Sequence, residues 1–372
     1  MVRLGHSGSA MAGPLSGPIR PCSAFRFPSP LQRGTNVILE ATAATRMDLA
    51  GGTLDIWPIY LFEGEGMTVN AAITINSHVR VEERGDSEVH LSAADSNERL
   101  AARCVDELPV AGQLDLVARI VRCYPPKCGV SVTTSSEAPR GSGLGASSSL
   151  LIALSHALNR LNGTGYTPEQ LVDFGANIEA QCIGIPTGKQ DYYPPTYGGV
   201  NAIWFQALGN RVEPLGGEDL AAELESRVVL SFTGISHFSG TNNWSMMKRY
   251  IDNRGTTVQN MRRIKDTAFR MRECLLAREY NRFAELVDEE WQNRKALARG
   301  VTNARIDGIM AAARDAGALA SKICGAGGGG CMITVTEPSR RAAVEAALRR
   351  AGARVLDYRI ARQGVQVREA SA

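Results

Sequence analysis

Two hydrophobic periods run through the chain. Residues 67–81 alternate apolar and polar positions and are rich in β-branched side chains, and 89–92, 129–134, 200–205 and 228–232 repeat that texture in shorter runs. A period of two with β-branched enrichment predicts strands. A further strand is expected where the patterned chain begins, at 36–41. Residues 114–123 read as a helix. In 147–161, Leu151, Leu154 and Leu158 fall on one helical stripe, which predicts a packed helix. Thr167 followed by Pro168 marks the start of another helix, reaching about Cys182.

Beyond about residue 240 the texture changes. Residues 256–299 are helical and strongly charged, and 306–316 form another helix. A strand, a glycine loop, a second strand, a helix over 339–351 and a strand over 354–360 follow. A sheet-rich first half followed by helices and a βαβ-like tail predicts two α+β domains, 36–225 and 226–372, meeting around 215–235.

At 372 residues the chain is long enough for two cores. No apolar run approaches a membrane span. The net charge of +3 is unevenly placed, because Arg3, Arg20, Arg26 and Arg33 all precede the first acid, Glu40. The body is therefore close to neutral, which argues against a nucleic-acid partner. Residues 1–35 lack hydrophobic periodicity and are rich in Gly, Pro, Ser and Arg, as a disordered or peripheral tail would be. A transit peptide shares that composition, but the tail is the expectation. The eight cysteines are scattered without a Cys-x-x-Cys pair. They read as reduced thiols of a cytoplasmic protein rather than a zinc site.

The chemistry concentrates in a few stretches. Pro139-Arg140-Gly141-Ser142-Gly143-Leu144-Gly145-Ala146-Ser147-Ser148 is a glycine-rich turn running into a helix. Glycines let the backbone approach a ligand closely, and a helix N-terminus offers free N–H groups to an anion, so the stretch suits phosphate. It is no P-loop, because no Lys-Ser/Thr pair follows the last glycine. The string Gly-Ala-Gly-Gly-Gly-Gly at 325–330 fits a dinucleotide fingerprint formally. It stands between two strands rather than before a helix, which removes that reading. Five glycines in six residues there imply that something approaches the backbone closely. The run 46–55 carries Arg46, two glycines and Asp55, an acid able to accept hydrogen bonds from a polar ligand or simply to cap its own turn. Glu179 and Asp191 can divide labour at a phosphate site, one holding a cation with a serine and the other orienting a hydroxyl. Each is equally readable alone as a surface acid. Lys189 stands beside Asp191.

Together these stretches resemble the GHMP kinases, the family of galactokinase, homoserine kinase and mevalonate kinase. The 139–148 run is similar to the family's central motif, 322–331 to its C-terminal motif and 46–55 to its N-terminal motif, in the family's order. The resemblance covers about residues 36–365. It implies an α+β fold of two domains, the first with a left-handed βαβ unit and the second ferredoxin-like, with ATP and Mg²⁺ in the cleft between them. By motif position, the backbone of 139–148 would wrap the triphosphate. Ser147 and Glu179 would hold Mg²⁺, Asp191 would be the catalytic carboxylate and Arg46 the cation beside the transferred phosphoryl group. Asp55, Gly52, Thr53, Gly188, Lys189, Tyr192, Gly327 and Gly328 would form the substrate side. Ala146 departs from the family's usual serine pair, but Ser147 keeps its second member. Mevalonate-type kinases carry Lys where this chain has Arg46. Galactokinases carry Glu and His where it has Gly52 and Thr53. The runs 46–55, 188–193 and 233–244 look most like D-glycero-D-manno-heptose 7-phosphate kinases, although those enzymes have Thr directly before the equivalent of Asp55, where this chain has Leu54. The expectation is a kinase for a sugar or sugar phosphate, monomeric or homodimeric, with no membrane partner. Fucose-type, galactose-type and mevalonate-type acceptors and a non-catalytic ATP-binding relative are the alternatives.

Overall fold

The computed structural model describes residues 37–236 and 239–370, apart from the side chains of Ser239 and Thr241. The tail expected at 1–35 lies outside the described residues. Twelve strands are seen among those described. They are β1 (Ile38–Ala50), β2 (Gly66–Glu83), β3 (Val89–Ala93), β4 (Glu98–Ala102), β5 (Val130–Ser136), β6 (Val200–Gln206), β7 (Gly209–Pro214), β8 (Val228–Phe232), β9 (Ala318–Ile323), β10 (Cys331–Thr336), β11 (Arg354–Leu356) and β12 (Gln366–Ala370). Eight form one mixed sheet along the path β12-β1-β2-β5-β3-β4, with β6 also on β2 and β7 on β6. Its one parallel ladder joins β3 to β5, Val89 opposite Val130, and the helix Asp115–Cys123 lies in the connection.

The second sheet has the order β11-β8-β10-β9, antiparallel throughout. In chain order, with the intervening helices, that is the βαββαβ ferredoxin-like arrangement. The strand–loop–strand reading around the glycine run 325–330 is correct: β9 and β10 pair antiparallel, Met332 opposite Ile323. The patterned strand expected at 36–41 is much longer, because β1 continues buried through Arg46 to Ala50. The last strand returns to the first sheet, pairing Ile38 with Ala370.

Three large apolar cores hold these layers. One lies inside the first sheet and its helices, and one under the second sheet. The third is shared: Met47, Leu49, Met67 and Val69 of β1 and β2 pack with Met271, Phe283, Val287 and Ile333 of the second half. This continuous packing fixes the two sheets against each other, so the groups at their seam have defined distances.

Candidate active site

The sequence between β5 and the helix Ala146–Asn162 makes a turn in which Gly141, Gly143 and Gly145 take φ of 65°, 68° and 72°. These left-handed angles explain the alternating glycines, since a Cβ there is strained. Gly145 stands at the N-cap, where no side chain caps the helix. The first-turn N–H groups therefore face the cleft as donors for an anion. The second glycine run packs against this turn from behind. Cys331 N–H donates to Ser142 O at 2.6 Å, and a Cβ on Gly330 would lie 2.5 Å from that oxygen. The close approach that five glycines imply is thus made by the chain's own phosphate-type turn.

Arg46 leaves β1 and is buried. Its Nε and Nη2 donate to Asp191 Oδ1 at 2.9 and 2.6 Å, and its Nη1 donates to Gly143 O at 2.5 Å. Both contacts to Asp191 fall on one oxygen, so Oδ2 is the one open to a ligand. Asp191 rides on the single turn Gln190–Tyr192. That turn is pinned where it begins by the bridge between Ile56 and Gly188 and by Gln190 N–H on Asp55 Oδ2 at 2.9 Å.

Glu179 comes from the helix Pro168–Ile183, whose start is the expected one: Thr167 and Gln170 form a reciprocal capping box. Ser147 Oγ donates to Glu179 Oε1 at 2.5 Å, Ser148 Oγ to Oε2 at 2.9 Å, and the buried Tyr192 hydroxyl also donates to Oε2. Burial raises the Glu179 carboxyl above its usual range, against those hydrogen bonds. A hydroxyl and a carboxylate side by side at an anion-binding turn are hard oxygen donors suited to Mg²⁺ shared with phosphate oxygens and water. Among the described residues no group of three or more His, Cys, Asp or Glu gathers to hold a metal alone.

Asp55 is buried and has one oxygen, Oδ1, without a partner. Burial lifts its carboxyl to about 7. The space beside it exists because residue 188 is glycine: a Cβ there would stand 2.1 Å from Asp55 Oδ2. With the roles proposed below for Asp55 and the glycine turn, replacing Gly188 with alanine is expected to raise an acceptor's KM about tenfold and leave the ATP KM within twofold, because the group displaced is Asp55 and not the turn. Initial-rate kinetics with each substrate varied in turn check this.

One cleft of about 490 Å³ is lined by Arg46, Thr53, Asp55, the 138–147 turn (Leu144 excepted), Glu179, Gly188, Gln190 and Asp191, together with Gly240, Asn243, Gly325 and Ala326. Leu116, Val117, Leu150 and Ile183 add apolar wall. Several expected site residues are not part of this lining, and one stands at its margin. Leu144 is buried beneath the turn. Arg140 is exposed on the cleft margin, 3.3 Å from Gln113 Oε1. Lys189 pairs with Asp173 at 2.7 Å and is no part of the wall. Tyr192 is spent on Glu179. Gly52 carries Arg294 on its carbonyl. Gly327 and Gly328 meet Val301, whose carbonyl takes the Gly328 N–H at 2.7 Å, and Asn242 Nδ2 holds the Ala326 and Gly327 carbonyls at 3.2 Å each.

Sequence reading also misses a buried charge cluster behind the cleft. Asp48, Glu290, Arg294 and Lys322 have fully buried side chains, with Arg294–Glu290 at 2.5 Å, Lys322–Glu290 at 3.1 Å and Lys322–Asp48 at 3.3 Å. The available signal lies in the helix Tyr280–Lys295. Glu290 and Arg294 continue the stripe of Phe283, Leu286, Val287 and Trp291, all buried, so they are charges on an apolar face.

The pattern shared by GHMP kinase N-terminal domains matches residues 112–199, and that of GHMP kinase C-terminal domains matches 271–354. A D-glycero-alpha-D-manno-heptose 7-phosphate kinase of Campylobacter jejuni is 30% identical over 330 residues, 86% of this chain and 96% of that protein. The chain belongs to the GHMP kinase family. A mevalonate kinase of Thermococcus sibiricus is 29% identical over 65% of this chain and 70% of its own length. Among solved structures, a D-glycero-D-manno-heptose 1-phosphate kinase from Bacteroides thetaiotaomicron superposes with a TM-score of 0.73 at 26% identity, covering 90% of this chain and all of that one. Lactococcus lactis galactokinase, at 19% identity and a TM-score of 0.71 over 88% and 95% of the two chains, shares the fold. The two-domain α+β architecture is the GHMP kinase fold, and the protein is an enzyme of the kinase class. No helix among the described residues is long and apolar enough to cross a membrane.

Proposed function

We propose that this GHMP kinase transfers the γ-phosphate of ATP to the anomeric hydroxyl of a sugar phosphate of the heptose 7-phosphate type. The observation that carries the reading is the meeting of Asp191, Arg46 and Asp55 with the uncapped glycine turn in one cleft. Similarity to the Campylobacter enzyme over nearly the whole of both proteins supports the acceptor class.

In this reading the turn 139–148 receives the triphosphate on backbone N–H groups. Ser147 and Glu179 would hold Mg²⁺, which would neutralise phosphate charge. Asp191 accepts the acceptor hydroxyl's proton or orients it through Oδ2. Arg46, fixed by Asp191 and Gly143, faces the oxygens of the group being transferred. Asp55 takes acceptor hydroxyls on its unpartnered oxygen.

Asp55 gives a pH signature. Hydroxyl donors favour the ionised carboxylate, and ionisation is reached only as pH rises through about 7. The acceptor KM is expected to fall about tenfold between pH 6 and pH 8, while Asp55→Asn shows a flat profile over that range. A wild-type KM independent of pH removes this role.

Product analysis after incubation with ATP and Mg²⁺ tests the function as a whole. The substrates are D-glycero-D-manno-heptose 7-phosphate, unphosphorylated heptose, fucose, galactose and mevalonate. A heptose 1,7-bisphosphate is the expected product, and phosphorylation of mevalonate or fucose alone overturns the acceptor assignment.

A further inference from the structure

Thr53 is a β-branched residue with φ of 76°, a conformation such residues rarely adopt without being held there. It is buried yet contributes to the cleft wall two residues before Asp55. What holds it is Arg294. The guanidinium donates through Nη2 to Gly52 O at 2.9 Å and through Nη1 to Thr53 Oγ1 at 3.3 Å. The same Nη1 reaches Gly325 O, in the second glycine run, at 3.3 Å. One side chain from the helix Tyr280–Lys295 thus ties together the loops after β1 and after β9. Gly52 gives it room, because a Cβ at 52 would lie 2.9 Å from Arg294 Nη2 and 2.7 Å from Asp48 Oδ2.

The guanidinium is itself locked from behind. Glu290 Oε1 accepts Arg294 Nε at 2.8 Å and Nη2 at 2.5 Å, and Lys322 bridges Glu290 to Asp48. A planar fork fixed on a carboxylate presents its remaining N–H groups in one direction only. Lysine keeps the charge but cannot reproduce the fork.

We propose that Arg294 is a positioning residue of the acceptor site, holding the 51–55 loop so that Thr53 and Asp55 meet the acceptor in a fixed arrangement while the ATP turn is left to other contacts. The kinetic half of this inference rests on the acceptor reading given above; the structural half does not. In the arrangement described, Gly52 belongs to the enzyme's interior and Thr53 to its acceptor edge. The loop's shape is dictated from the second domain, across the seam.

Arg294→Lys tests it in the full chain. Glu290→Gln with Arg294→Met is the second variant, which removes one charge of each sign and keeps the buried cluster balanced. Hydrogen–deuterium exchange of the ligand-free protein is expected to speed up about tenfold or more across 51–56 in both variants, with 141–149 unchanged. With ATP and D-glycero-D-manno-heptose 7-phosphate, the acceptor KM is expected to rise about tenfold or more and the ATP KM to stay within twofold. Unchanged exchange at 51–56, or exchange rising equally at 141–149, overturns the proposal, as does a rise in both KM values together. Should the wild type not use the heptose phosphate, the acceptor reading fails, and the exchange result still decides whether Arg294 holds the loop.

Discussion

Asp191→Asn is expected to lower kcat by about a thousandfold and to leave ATP affinity within about twofold. The amide keeps an acceptor where Oδ1 now receives Arg46 Nε and Nη2, so the guanidinium has no reason to leave its place between Asp191 and Gly143 O. What the substitution removes is the negative charge and the proton-accepting oxygen facing the cleft. In the proposed reading ATP binds through the glycine turn and helix N-terminus, which the change does not touch. If affinity moves at all it should tighten, since Arg46 then loses its anionic partner and faces the triphosphate with its charge uncompensated. ADP release in the presence of acceptor gives kcat, and calorimetry with a non-hydrolysable ATP analogue gives affinity. Turnover near that of the wild type would mean that a different group handles the acceptor hydroxyl. Loss of ATP affinity in parallel would mean that the Arg46–Asp191 contact is needed chiefly to shape the turn.

The phosphate-type turn was legible in the amino-acid sequence because its determinants are local. Alternating glycines at 141, 143 and 145 can be read as left-handed residues, and the Leu151, Leu154, Leu158 stripe announces the helix that follows. The Thr167 cap and the strand 228–232 were legible for the same reason. Joint occurrence of the three motifs then gave the family. Roles assigned residue by residue were harder, because a motif position says where a residue stands in the chain and not which way it turns. Lys189 and Asp191 are two apart, yet one pairs with Asp173 and the other with Arg46. Gly327 and Gly328 look like ligand contacts until Val301 and Asn242 are seen against them. The final strand β12 carries too few apolar residues to announce itself. β12 is an edge strand whose pairing with β1 spans more than three hundred residues. The charge cluster was the least visible. Asp48 and Lys322 come from strands in different sheets, and Lys322 meets both Asp48 and Glu290 only once the shared core is assembled.

That cluster supports the second large effect. Lys322→Met is expected to destabilise the protein by about 3–5 kcal/mol, because it strands two buried carboxylates with one remaining cation. Asp48, Glu290, Arg294 and Lys322 have no exposed side-chain surface, so water cannot make good the lost charge. Denaturant midpoints of wild type and variant, at matched slope, measure the loss. The double variant Glu290→Gln with Lys322→Met leaves Asp48 facing Arg294 and restores balance. It should be more stable than Lys322→Met alone by about 2 kcal/mol, and simple additivity of the two losses would show that the four charges do not act as one unit. The pH dependence has a definite sign. Burial pushes the Asp48 carboxyl up, and Lys322 first, then Arg294 and Arg46, together bring it below its usual value. In the wild type Asp48 therefore contributes stability that is present above its unfolded pKa, near 3.8, and is lost only as pH falls through its lower folded value. Without Lys322 the burial effect gains ground and the folded pKa rises. Folding of the variant then favours a protonated Asp48, and its stability declines as pH rises through that raised value. The gap between the two proteins should be widest at neutral pH and above and narrow as pH falls toward the ordinary carboxylate range. A gap constant over that fall in pH would mean that the methionine variant keeps Asp48 ionised, with Arg294 alone sufficient to hold its charge.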